Sequence, residues 1–478
     1  MKKWFAILSL ILSPFLYTKA QLSGTSLMEY QYGQLPSANE SSFNALYNKV
    51  KLNYRYQNLK VKAGVQYFAS PYNDRNYIEP AWFGANYRNK GWELNLGNFN
   101  ETLGRGILLR SYEIHGAIIE DLSYRSKQYF YRDMLGASAS YRGKNYSVKT
   151  LWGYALNNIY PPSEGQRLRR DDEIAAISGD YKWKKQTIGA VMMRANNATH
   201  STNYALGSLS GRLFPFLNYY TSYATSLDQD NKAHAIYTSL NLSLDKMGVS
   251  LEMKNYDNFV IGSGINEPPA LIKEHSYRVL NRSTHVLQPQ NETGFQLEAF
   301  YLLQDKTMLT FNYTYANNNF GKSFKYNELF LELSTYISST ETKFFVDYAD
   351  DPFKNESDRL SAGTTIDQAI GNNKGLTIDL EYQTFKRDET SNQNYVAGLT
   401  FRHHSRFFIG MLSELSNDTF VTDSEKLWLS GHLKYKLNQN HSLQLFAGER
   451  RGGPACSAGV CYEVLDFKGV ELRWNARF

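Results

Sequence analysis

The chain is 478 residues long and carries 52 basic against 46 acidic residues, a formal charge of +6. So small a surplus, with no compact basic patch, argues against a nucleic-acid partner. Tyr (36) and Phe (27) lift aromatics to 15%, yet mean hydropathy is −0.49, too polar for a helical membrane protein.

At the N-terminus Lys2 and Lys3 precede a mostly apolar stretch over residues 4–16, and Thr18-Lys19-Ala20 puts small residues at cleavage positions. Residues 1–20 read as a secretion signal, with the mature chain expected to begin near Gln21 and no Cys there for a lipid anchor. No later apolar run reaches the ~18 residues a membrane helix needs.

From there a two-faced pattern of period two recurs along the chain, the signature of half-buried strands. Val50, Leu52, Tyr54 and Tyr56 alternate with Lys51, Asn53 and Arg55. The same alternation runs through Val249, Leu251 and Met253, then Leu309, Phe311, Tyr313 and Tyr315. It returns at Leu376, Ile378, Leu380 and Tyr382, and at Leu427, Leu429, Leu433 and Tyr435. It ends on Val470, Leu472, Trp474, Ala476 and Phe478, alternating with Glu471, Arg473, Asn475 and Arg477 up to the final, aromatic residue. Strands that meet lipid outside and water inside read this way, and the last of them closes a barrel. On that reading Leu472→Arg is costly and Arg473→Leu is mild.

Short turns such as Gln57-Asn58, Asn89-Lys90 and Asn438-Gln439 alternate with longer polar loops at 157–171, 259–291 and 350–358. The chain therefore threads as an all-β, transmembrane, antiparallel up-and-down barrel of about 24 strands (range roughly 20 to 26), with short periplasmic turns and longer extracellular loops. Residues 21–478 form this single domain, with 99–132 and 259–291 as candidate lumen-folding or lid segments; the alternation is weakest over 99–132, which reads either as a hidden strand pair or as a fold inward. A soluble propeller is the competing all-β architecture, but the repeated signature of propeller blades is missing.

Three segments carry candidate sites. Gly97-Asn98-Phe99, Gly104-Arg105-Gly106 and the charges of Glu101, Arg105, Arg110 and Glu113 suit a loop turned into the lumen, bracing the wall or lining a constriction. The loop after Tyr256 holds Pro268-Pro269, Glu274-His275, Arg282 and His285. Its ionisable cluster suits a plug or lid, and a zinc site there lacks recognised spacing. Arg450-Arg451-Gly452-Gly453 precedes Cys456 and Cys461, the only two cysteines, expected to form a structural disulfide in an oxidising compartment. Neither a Gly-x-Ser-x-Gly elbow nor a His-Glu-x-x-His pair occurs, so no catalytic residue, metal or cofactor is assigned and no enzyme is expected.

On these three segments, together with the strand pattern up to Phe478, the chain resembles an uncharacterised outer-membrane β-barrel family of Bacteroidota. The resemblance implies an outer-membrane location and supplies neither substrate nor active site. The expected partners are outer-membrane lipid, the barrel-insertion machinery, and a small solute or an envelope protein. The expected function is a passive or partly occluded channel. A non-conducting scaffold in an envelope complex is the alternative, and an enzyme a distant third.

Overall fold

A computed structural model of the protein describes residues 21–36, 40–71, 75–120, 127–156, 170–197, 200–228, 232–418, 420–422, 424–457 and 460–478. The expected secretion signal lies outside these residues, as does 157–169 of the first long loop.

Alternating sequences can bury one face only if their backbone groups find partners, and closing a sheet on itself supplies every strand with two. Strand Gln21–Leu35 pairs with Glu40–Tyr56, pairing continues antiparallel around the wall, and Phe467–Arg477 returns to Gln21–Leu35. The result is a closed antiparallel barrel of 24 strands. The seam is held to the last residue: Gly24 N–H donates to the Phe478 carbonyl at 2.6 Å, and Phe478 N–H returns to Gly24 at 3.0 Å.

Three described segments leave the wall between strands that are neighbours in space: 258–290, between Met247–Asp257 and Asn291–Gln304, and two that carry hairpins. Trp92–Phe99 pairs directly with Met134–Arg142, so the described residues of 100–133 are not wall. Instead they make two small hairpins, Thr102–Leu103 with Leu109–Arg110 and Tyr112–Glu120 with Lys127–Arg132. Likewise His441–Arg450 pairs with Phe467–Arg477, and a hairpin of Gly453–Ser457 with Val460–Val464 lies between them.

The distribution of side chains is the reverse of a soluble protein's. On the first strand the outward Tyr32 is 57% exposed, while the inward Glu29 and Gln31 are 2% and 1% exposed. Exposed Leu96, Met411, Val470 and Phe478 continue the apolar exterior. On the closing strand Glu471 and Arg473 join the inward polar set, and Leu472 and Trp474 take the opposite face.

Glycines align across neighbouring strands in two rows. Gly84, Gly97, Gly136 and Gly153 are successive register partners, as are Gly33, Gly469 and Gly448. A Cβ at Gly136 would lie 2.1 Å from the Trp152 carbonyl, and one at Gly469 would lie 2.3 Å from that of Tyr32. Only glycine tolerates so close a backbone approach, which marks tight bends in the wall.

Candidate functional site: a two-segment plug in the lumen

The excursion 100–133 and the loop 259–290 turn inward and join. Gly104–Gly106 makes a tight turn with Arg105 at φ 56° and Gly106 at φ 94°. A Cβ on Gly106 would meet the Glu267 carbonyl at 2.3 Å, so the close crossing of the two segments requires glycine. There Glu267 N–H donates to the Gly106 carbonyl at 2.9 Å and Arg110 N–H to that of Ile265 at 3.2 Å. Asn266 locks the crossing: its amide donates to the carbonyls of Ile107 (3.1 Å) and Phe259 (2.8 Å) and accepts from Ile261 N–H (2.9 Å). Ile107, Leu108, Phe259 and Ile261 form one apolar core with inward Leu151, Val191, Leu206 and Ala235 of the wall. Apolar side chains at inward positions are thus explained by the plug that covers them.

The first segment anchors by charge. Glu101 accepts from Lys149 at 2.7 Å, and Glu113 accepts from Lys51 at 2.5 Å with Lys49 at 3.4 Å. Arg110 and Arg132 approach Glu267 at 3.3 and 3.4 Å. The Arg105 guanidinium lies 3.7 Å from the Tyr220 ring centroid, a cation–π contact. Buried Glu29 binds both Lys127 of the inner hairpin and Arg473 of the closing strand.

The second segment is held more tightly. The one-turn helix Arg278–Arg282 presents its first N–H groups to Glu381, at 3.0 and 2.8 Å. His275 Nε2 is 3.2 Å from Glu328, and Arg282 Nη2 is 3.0 Å from Glu414. Burial lowers the Arg282 guanidinium to about 10 despite Glu414. His285 stacks on Tyr326, with Asp351 at 3.4 Å and Glu292 at 3.8 Å. Burial alone would push this imidazole down, but the two carboxylates outweigh it and hold its pKa above the usual 6.5. Fully buried Lys254 pairs with Glu292, and fully buried Arg359 reaches the Ser283 carbonyl at 2.9 Å, with Glu328, Asp347 and Glu356 at 3.5, 3.6 and 3.5 Å. From Glu356 the ionic chain runs on through Arg387 and Asp418 to Arg451.

Several groupings differ from those expected of the sequence. Glu274 is exposed and has no charged partner among the described residues, and the two histidines bind different carboxylates, so Glu274, His275 and His285 do not assemble. His275, Glu328 and Asp347 do place ligand atoms within 4.8 Å of one another. Arg359, ion-paired with both carboxylates, supplies the counter-charge there, and the group reads as part of the charge network. Arg473, expected to tolerate Leu, instead holds a buried glutamate. Glu328, Asp347, Arg359 and Asn266 escape sequence reading because a charged or polar residue facing inward is ordinary in a barrel strand and Asn is ordinary in a loop. The backbone register sets Cys456 opposite Cys461, and the expected disulfide lies outside the described residues, which do not include those side chains.

Below the plug, towards the short turns, the lumen keeps two cavities of about 690 and 980 Å³, the first mainly polar and the second mixed. The first is lined by Lys60, Lys62, Arg142 and Glu101, the second by Lys434, Lys436 and Glu113.

Three similar solved structures share low sequence identity with the chain. The P pilus usher (PapC) translocation pore aligns with TM-score 0.48 and 9% identity over 96% of this chain and 99% of that one. The siderophore receptor PirA from Pseudomonas aeruginosa gives 0.45 and 9%, over 96% and 81%. The outer membrane protein opdK from Pseudomonas aeruginosa gives 0.40 and 12%, over 83% and 99%. No curated protein matches the chain. The model of a family of unknown function, DUF6029, matches residues 217–478, more than half of the chain, and the protein belongs to that family.

Proposed function

We propose that this protein is an outer-membrane barrel serving as a conduit for small solutes, exported by a signal cleaved near Ala20, closed at its long-loop end by the two-segment plug and open at its short-turn end. The observation that carries this reading is the division of the lumen. One half is filled by buried loop segments tied to the wall, while the other holds cavities of about 690 and 980 Å³, the first mainly polar and the second mixed. A scaffold has no need of solute-sized polar space behind a plug. The apolar, aromatic exterior supports a lipid setting, and the short turns then face the periplasm. The reading is of transport without catalysis.

The test is single-channel recording in planar bilayers of the wild type and of Asn266→Ala, which weakens the plug crossing. The expected outcome is small or intermittent conductance in the wild type and larger, longer openings in the variant. Silence of both folded proteins would overturn the conduit and favour the scaffold.

A further inference from the structure

Resting on that reading, we infer that the short-turn half of the lumen is an anion-binding vestibule for small solutes bearing two or more phosphate or carboxylate groups. The two cavities flank one aromatic residue: the ammonium groups of Lys51 and Lys62 both lie 5.1 Å from the Trp82 ring. Carboxylates near them are already engaged. Glu93 takes Arg88 at 2.6 Å, Glu101 takes Lys149, and Glu113 takes Lys49 and Lys51. Asp180 accepts from the Ser147 hydroxyl at 3.1 Å and keeps its charge, one carboxylate against the three cations Lys60, Lys62 and Arg142 of its cavity. What is left over is positive. Among the described residues Lys60, Lys62 and Arg142 in one cavity, and Lys434, Lys436 and Arg477 in the other, ion-pair with no carboxylate.

The opposite wall does not share this surplus. There Glu298 is taken by Lys273, Asp367 by Arg402 through two bonds of 2.5 and 2.6 Å, and Glu381 by the helix N–H groups. The strands that carry the surplus are consecutive around the wall, from Lys426–Lys436 across the seam to Met134–Arg142. Like charges crowded into a concave, partly desolvated space repel one another, and a multivalent anion relieves that repulsion. A cavity of about 690 Å³ matches a small metabolite rather than a polymer.

The experiment is calorimetric titration of the purified, folded barrel in detergent with inorganic pyrophosphate, at low and high salt, beside Lys60→Gln/Lys62→Gln and Lys434→Gln/Lys436→Gln. Expected is saturable binding that weakens with salt and falls at least tenfold in a double variant that keeps its heat-modifiable barrel mobility. A wild type that binds no pyrophosphate at low salt overturns the vestibule whatever the variants do. So does binding unchanged in both folded variants. Because the readout needs no current, a barrel that binds but never conducts preserves the vestibule and discards the conduit.

Discussion

At the scale of single residues, lipid and lumen make opposite demands on neighbours. Leu472→Arg on the outer face should cost about 2–4 kcal/mol near mid-membrane. Arg473→Leu should also destabilise, since it leaves Glu29 buried at 2% exposure with Lys127 as its remaining cation among the described residues. Urea unfolding from vesicles measures both, and a neutral Arg473→Leu would dissolve the role given to that pair. Arg359 stands among three buried carboxylates, so Arg359→Met should cost about 3–5 kcal/mol, the usual consequence of stranding buried charge. A midpoint indistinguishable from wild type would mean that those carboxylates are protonated. His285 gives the plug a pH dependence with a definite sign. Its folded pKa is raised above 6.5, so its stabilisation is complete below that value and is lost as pH rises through the higher folded one. Proteolysis of the 259–290 segment should therefore accelerate on the alkaline side in the wild type but not in His285→Gln, and acid-side loosening would refute the assignment.

At the scale of elements, the wall was legible and the plug only half so. Period-two alternation identifies strands because lipid demands apolar side chains at every second position, and it led to the observed 24. The rhythm weakens over 99–132, where the sequence reads either as a strand pair or as a fold inward, and the described residues of 100–133 lie outside the 24-strand wall. What periodicity cannot convey is which inward positions stay wet. Val191 and Leu206 look like chance apolar residues on a polar face until Ile107 and Phe259 are seen against them. Nor does the sequence disclose that Gly106 and Glu267 touch, because their contact depends on two loops entering from different parts of the circumference. That crossing makes the two segments one cooperative unit. Asn266→Ala should cost about 1–3 kcal/mol of local stability through lost buried hydrogen bonds. Hydrogen exchange should then rise in 104–110 and 259–267 together, and a rise confined to one segment would show that they open independently.

At the scale of the molecule, the plug differs from a removable stopper. Its two parts are threaded between wall strands at both ends, so it can rearrange or loosen but cannot leave. On the conduit proposal, opening would be a repacking inside a fixed wall, and the ionic chain from Arg359 to Arg451 is the set of contacts such a repacking would exchange. The seam carries a different consequence, one of assembly order. Glu29 and Arg473 are 444 residues apart in the chain, and the final hydrogen bonds join Gly24 to the terminal Phe478. Contacts of such separation come last, after the entropy of closing the longest loop has been overcome. Until then the first and last strands are both open edges in search of partners, and the unfinished sheet is most exposed to joining another chain. The cylinder is thus sealed only when Phe467–Arg477 reaches Gln21–Leu35.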